Sequence, residues 1–288
     1  MSVAIEHQRV KTEQLAVLEF AEPVAASLLG ISGFKGSWST NKTQAVRLFA
    51  VALKESATVG RRLFVTPSLR LWDTGNPVAH ADSWVDMTAI SWHGANASKG
   101  VVFAMRDDIP KPPSSLPIGL PGEQLAVAAS VLRGFHLEHT DGWHEVKTLN
   151  VQTGQSISTN RANAHLNIIA EFFDADNHSA QRKTVSAGFI GCAASTQVDA
   201  RVIQINDGDE PTVTFDRAVK QAGVFLTGFE ITRSEGAQQF GSITVSASLK
   251  APPDGASNTV QLEGAVRLEK AGVKPTTGTA TVLVLAVH

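Results

Sequence analysis

The sequence predicts an all-β protein built from three tandem antiparallel β-sandwich units of about six strands each, packed as a pseudo-trimer. Three observations carry that prediction. A stretch ending in Gly-Phe recurs, as Leu28-Leu29-Gly30-Ile31-Ser32-Gly33-Phe34, Val131-Leu132-Arg133-Gly134-Phe135 and Phe225-Leu226-Thr227-Gly228-Phe229, and self-similarity at a fixed spacing is the signature of a repeated structural unit. Behind each copy, apolar residues fall at every second position, the period of a strand with one buried face. Turn residues separate these runs so often that each unit supplies five or six short strands, which fits an antiparallel sandwich and not a series of βαβ units.

The units are read as 12–94, 116–194 and 211–288. Residues 15–20 open the first, and Glu22-Pro23 closes that strand because proline cannot donate to a ladder. Val213-Thr214-Phe215 holds the same place in the third unit. The second offers 116–122, interrupted by Pro117 and Pro121, so its opening strand is short or irregular. Residues 122–132 have room for a turn or two of helix. The Gly-Phe strand then leads through a polar turn to an alternating strand at 46–53, 148–152 and 242–248. A long strand follows at 63–72, 164–173 and 259–268, then a second turn at 73–77, 174–177 and 270–275. Closing strands are expected at 84–92, 184–192 and 279–287. The Pro-rich stretch 107–115 and the acidic stretch 206–211 read as linkers. A lone unit of this size buries only about 60–65% of its unfolded surface, so close packing of the three is expected.

With 43% hydrophobic and 18% charged residues the composition is that of an ordinary globular protein, and a net charge of −2 leaves no electrostatic footprint for nucleic acid or an anionic membrane. The single cysteine, Cys192, cannot form an intramolecular disulfide. Residues 1–11 carry Glu6, His7 and Arg9 where a signal peptide needs its apolar segment, and no run approaches the length of a membrane span. The expectation is a protein without a signal peptide or membrane insertion, cytoplasmic or released by a non-classical route, as in a virion or extracellular assembly.

The Pro23-to-Gly33 strand, the polar turn, the alternating strand, the strand ending in Trp72-Asp73-Thr74 and the closing Ile90-Ser91-Trp92 together resemble the H-type lectin domain of snail agglutinins and slime-mould discoidins. The resemblance spans most of the first unit and extends to the other two as divergent copies. It implies a six-stranded β-sandwich that assembles in threes and binds galactose or N-acetylgalactosamine in clefts between subunits. It also implies a site made from a Trp and a following polar residue at the end of the penultimate strand, completed by Arg and Asp or Ser groups of a neighbour. That pattern falls on Trp72 and Asp73. The corresponding pairs are Phe173-Asp174 and Glu269-Lys270, and Val51 stands where the family's Arg is expected.

His136, Glu138, His139, Asp141, His144 and Glu145 crowd a short stretch. On a strand, His136 and Glu138 share a face and His139 points away, so a solvated edge or a contact between units is expected there and no metal is assigned. Trp84 and Trp92 alternate as core or interface residues. No nucleophile elbow, phosphate-binding glycine loop or His-Glu-x-x-His motif is present, and neither catalytic residues nor a cofactor are assigned. Two functions follow. One is a non-enzymatic carbohydrate-binding protein whose partners are glycans and further copies of itself in a homo-oligomer. The other is a structural or adhesion component of a larger assembly that uses lectin-like sandwiches for protein contacts.

Overall fold

The computed structural model describes residues 2–38, 44–72, 82–93, 100–110, 114–118, 125–193, 196–233, 237, 239–270 and 273–288. They form nineteen strands. The first sandwich contains β1 (Ser2–Lys11), β2 (Ala16–Glu19), β3 (Val24–Ser37), β4 (Leu48–Val59), β5 (Arg62–Trp72) and β6 (Trp84–His93). The second contains β7 (Val101–Ile109), β8 (Ser114–Pro117), β9 (Leu125–Glu138), β10 (Thr148–Ile157), β11 (Asn163–Phe173) and β12 (Arg182–Ala193). The third contains β13 (Val198–Asn206), β14 (Thr212–Thr214), β15 (Gln221–Thr232), β16 (Ser242–Leu249), β17 (Thr259–Lys270), β18 (Val273–Thr277) and β19 (Thr279–Val287). Among the described residues no helix is long and apolar enough to cross a membrane.

Each sandwich has two antiparallel halves. In the first, β6 lies between β1 and β3, and β5 between β2 and β4. The second repeats this with β12 between β7 and β9 and β11 between β8 and β10, and the third with β19 between β13 and β15 and β17 between β14 and β16. The halves then join across units. The Gly-Phe strand of each unit pairs with the alternating strand of another: β9 with β4, β15 with β10, β3 with β16. These three seams close a ring, so the molecule holds three sheets, of order β2-β5-β4-β9-β12-β7, β13-β19-β15-β10-β11-β8 and β1-β6-β3-β16-β17-β14, with β18 attached to β17. Joining removes six strand edges that a free sandwich would leave open, and the outer edges include strands as short as β2, β8 and β14.

The repeated Gly-Phe dipeptide makes the seam. Each seam has five residue pairs, and each ends on the glycine: Gly134 opposite Ala52, Gly228 opposite Gln152, Gly33 opposite Ser246. The ladder within each sandwich shifts register just ahead of the glycine, at Ser32, Arg133 and Thr227, a β-bulge repeated three times. A Cβ on Gly134 would sit 2.7 Å from the carbonyl oxygen of Val51, and one on Gly228 2.6 Å from that of Val151. The following phenylalanines meet at the centre, with ring centroids 5.7 Å apart for Phe34 and Phe135, 5.6 Å for Phe135 and Phe229, and 5.5 Å for Phe34 and Phe229. A nearly equilateral triangle of buried rings marks a pseudo-threefold axis. One continuous apolar core runs from this triangle into all three sandwiches. A second core on the axis gathers Leu28 and Trp92, Val131 and Ile190, and Phe225 and Leu283 from the three units.

Several expectations change. A strand, β1, β7 or β13, lies ahead of each range read from the sequence and pairs with the closing strand of the same unit. The stretch 107–115 is therefore less of a linker than its prolines suggest, since 107–109 finish β7 and 114–115 begin β8. The part of 122–132 that is described is strand from Leu125 onward, because Val127, Ala129 and Val131 fill the axial core and the backbone pairs with β12. Cys192 is buried on the axis, where desolvation pushes its thiol up to about 12 and leaves it unreactive at neutral pH.

Candidate functional site

The seam between the first and second sandwiches carries the richest set of polar and aromatic side chains around a residue singled out by sequence. Pairing across the sheet sets one row, Trp72 opposite Leu48, Leu48 opposite Glu138, and Glu138 opposite Arg182. The next row on the same face is Arg70, Ala50, His136 and Thr184. Strand alternation sends the intervening Leu71, Phe49, Val51, Leu137 and Val185 into the core, so Trp72 and its neighbours stand on the outer face of the composite sheet. Trp72 is half-buried at the end of β5, and its carbonyl accepts from the N–H of Arg47 at 2.8 Å.

Glu138, only 5% exposed, is the electrostatic centre of the row. Its carboxylate lies 3.7 Å from Arg47 Nη2, 3.4 Å from Arg182 Nη1 and 3.2 Å from His136 Nε2. Arg47 belongs to the first sandwich and the other three to the second, so the network spans the seam. A carboxylate this deeply placed requires such partners, since an unpaired buried charge costs several kcal/mol. Trp72 Nε1 and Arg47 Nε are shut off from solvent and have no acceptor among the described residues. The arrangement offers an aromatic ring, then about two strand spacings away, roughly 9–10 Å, an anion flanked by exposed guanidinium groups.

Of the residues picked out by sequence, Trp72 falls on this seam and Asp73 lies outside the described residues. Val51 is fully buried beneath the seam, so no arginine could serve from that position. Arg47, four residues earlier, supplies the guanidinium instead. His136 and Glu138 do share a face and do lie at a contact between units. What sequence reasoning missed was Arg47 and Arg182, whose positions depend on the register of strands from different units.

The other two seams are built differently at the equivalent row. There Phe173 lies opposite Thr148 and Thr148 opposite Thr232, while Glu269 lies opposite Ser242 and Ser242 opposite Ser37. Glu269 accepts from Ser242 Oγ and from Arg267 Nε, both at 2.8 Å, and these bonds outweigh partial desolvation to hold its carboxyl below the usual range. Trp84 is covered by the Arg9 guanidinium at 3.9 Å, and Arg9 makes a bidentate pair with Asp86 at 2.7 Å. Trp92 is fully buried. A separate pocket of about 450 Å³ opens between the first and third sandwiches, lined by Ile5, Glu6, His7, Gln221, Gly223 and Pro253 among others. Burial raises Glu6 there, and burial lowers His7 against the opposing pull of Asp86, so both of these β1 side chains lean toward neutral. That pocket contains no tryptophan and lies away from Trp72.

A second consequence of the first seam concerns pH. His139 donates its backbone N–H to the carbonyl of Arg47 at 2.9 Å, and its ring is wholly buried. Desolvation, then the neighbouring His144, lowers its pKa from 6.5 to about 4. In the unfolded chain it takes up a proton at the higher pH, so its contribution is whole above about 6.5 and is lost as pH falls toward about 4. The loss is at most roughly 3 kcal/mol. Melting temperatures measured from pH 7.5 to 4.5 should fall more steeply for the native protein than for His139→Phe; parallel curves would contradict the assignment.

No protein-family model matches the chain, and no curated protein matches it.

Proposed function

We propose that this protein is a non-enzymatic, lectin-like carbohydrate-binding protein that takes galactose or N-acetylgalactosamine-type sugars at the seam between its first and second sandwiches. The observation that supports this most is the half-buried Trp72 on the outer face beside a carboxylate and two guanidinium groups brought by the strand pairing of different units. A pyranose has an apolar face that stacks on an indole and hydroxyls that both donate and accept. Glu138 accepts from such hydroxyls, and Arg47 and Arg182 donate to them. The H-type lectin resemblance predicts a site at a subunit boundary, and the one-chain pseudo-trimer supplies such a boundary.

A single site of this kind binds on the order of millimolar, about −4 kcal/mol. Useful avidity then requires several copies of the chain acting together, and homo-oligomeric presentation is part of the proposal. The second reading, a structural or adhesion component of a larger assembly, is favoured by Phe173 and Glu269 at the other two seams, which leave one tryptophan-faced row where a symmetric trimer would have three.

Retention on a galactose resin tests the first reading. The native protein should be retained and Trp72→Ala should pass through with its circular dichroism unchanged, because the residue sits at a strand end outside the main core. Glu138→Gln should be retained poorly. Equal retention of all three proteins would remove the seam from consideration.

A further inference from the structure

On the turn between β9 and β10, beside the seam, the structure brings together His139, Asp141 and His144, whose ligand atoms all lie within 4.8 Å of one another. The two imidazoles are stacked, with centroids 4.0 Å apart and planes 28° from parallel. His139 is fully buried, with the edge of Phe172 against it at 4.5 Å. Neither of its ring nitrogens makes a well-formed hydrogen bond, and Nδ1 lies 3.8 Å from Asp141 Oδ1. The Phe172 backbone and the carboxylates of Asp141 and Asp174 offset only part of the desolvation cost of this ring. A neutral imidazole has a lone pair on one of its two ring nitrogens.

His144 is set up as its partner. Its Nδ1 contacts Asp174 Oδ2 at 2.6 Å, and its Nε2 is 3.1 Å from Asp141 Oδ1. Asp174 is itself fixed, because Oδ1 accepts from the backbone N–H groups of Asp176 at 3.0 Å and His178 at 2.7 Å. Against the cost of burial, these N–H groups and the His144 ring hold the Asp174 carboxyl below its usual range. A carboxylate taking the Nδ1–H of a histidine turns its Nε2 into a lone-pair donor, the arrangement found behind metal-bound imidazoles.

We propose that His139, Asp141 and His144 bind a divalent first-row transition-metal ion, with Zn²⁺ the best fit, and that Asp174 orients His144 from behind. Two imidazoles and one carboxylate are borderline ligands suited to Zn²⁺, whereas Ca²⁺ takes oxygen ligands. A tetrahedral site needs ligand atoms about 3.3 Å apart at bond lengths of about 2.0–2.2 Å. Asp141, more than half exposed, can close that gap by turning its side chain. The ion takes the place of the His144–Asp141 contact, and its fourth position is left to water beside the exposed Asp141. The turn is also pinned to the first sandwich, where His144 and Val46 exchange both backbone hydrogen bonds. Binding therefore stabilises the seam.

Isothermal titration of the full chain, with no affinity tag, against Zn²⁺ at pH 7.5 tests this. The native protein should take up about one equivalent and melt at a higher temperature with Zn²⁺. Asp141→Asn and His144→Gln should each weaken binding at least tenfold and lose the thermal shift. Asp174→Asn should weaken it about 10–100-fold. Ca²⁺ in excess should not compete. Circular dichroism of each variant without metal establishes that the fold persists, and Asp141→Asn, on an exposed side chain, is the variant least able to disturb it. Absence of saturable uptake by the native protein would overturn the proposal. So would equal uptake by Asp141→Asn and His144→Gln, which would place the ion on other surface histidines.

Discussion

Phe135→Ala should destabilise the protein by about 3–5 kcal/mol, lowering the melting temperature by roughly 6–15 °C in a chain of this size. Phe135 is 3% exposed and packs against Phe34 at 5.7 Å, Phe229 at 5.6 Å and Phe49 at 4.9 Å. Those four rings come from all three sandwiches, so truncating one opens a cavity at a point where the three units share a core. The surrounding strands are held by seams on every side and collapse poorly into the gap. Ile169→Ala, on a partly exposed residue of the outer face, should change stability by less than about 0.5 kcal/mol. Thermal unfolding should stay a single transition in both variants. A Phe135→Ala protein as stable as the native one would mean that the triangle is not the keystone of the packing.

The second large effect is expected at the repeated glycine. Gly134→Val should cost about 1–3 kcal/mol, because its Cβ would meet the Val51 carbonyl oxygen at 2.7 Å and the Ala52 Cα at 3.1 Å. Both are backbone atoms of a strand in another unit, fixed by the seam itself, so relief requires parting the seam. Gly154 provides the control within the same kind of sheet. Its Cβ would find only Asn167, at 4.0 Å, and Gly154→Ala should be neutral or slightly stabilising through the unfolded state. Chemical denaturation of the two variants side by side measures the difference. Equal effects would show that close approach across the seam is not what selects glycine.

Much of the fold was legible because repetition and alternation report on buried faces. The strands β3 to β6, and their counterparts in the other two units, announce themselves through apolar residues at every second position. The recurrent Gly-Phe carried more than a strand: the glycine because another backbone passes over it, the phenylalanine because three copies must meet on one axis. The opening strands β1, β7 and β13 were harder. They pair along only one edge, so Glu6, His7 and Arg9, or Arg106, Asp107 and Asp108, can occupy them without disturbing a core. What repeats in them is sparse: Val10, Ile109 and Ile205 fall at the same register and enter the main core, too little to announce a strand.

The candidate site divides in the same way. Trp72 could be found from its place at the end of a strand. Arg47 and Arg182 could not, since they join Glu138 only through the pairing of β4 with β9 and of β9 with β12. The histidine cluster shows the limit of reasoning within one strand. Alternation correctly parts His139 from His136 and Glu138, but the turn that follows brings His144 and Asp141 back to it, and Asp174 arrives from another turn altogether.

Glycan-array binding by the protein displayed multivalently is the most direct measure of the functional account. The account predicts signals confined to glycans ending in galactose or N-acetylgalactosamine, erased in Trp72→Ala and weakened in Glu138→Gln. An array on which the multivalent native protein lights no glycan, or on which Trp72→Ala gives the same pattern, would contradict it and leave the structural reading in its place.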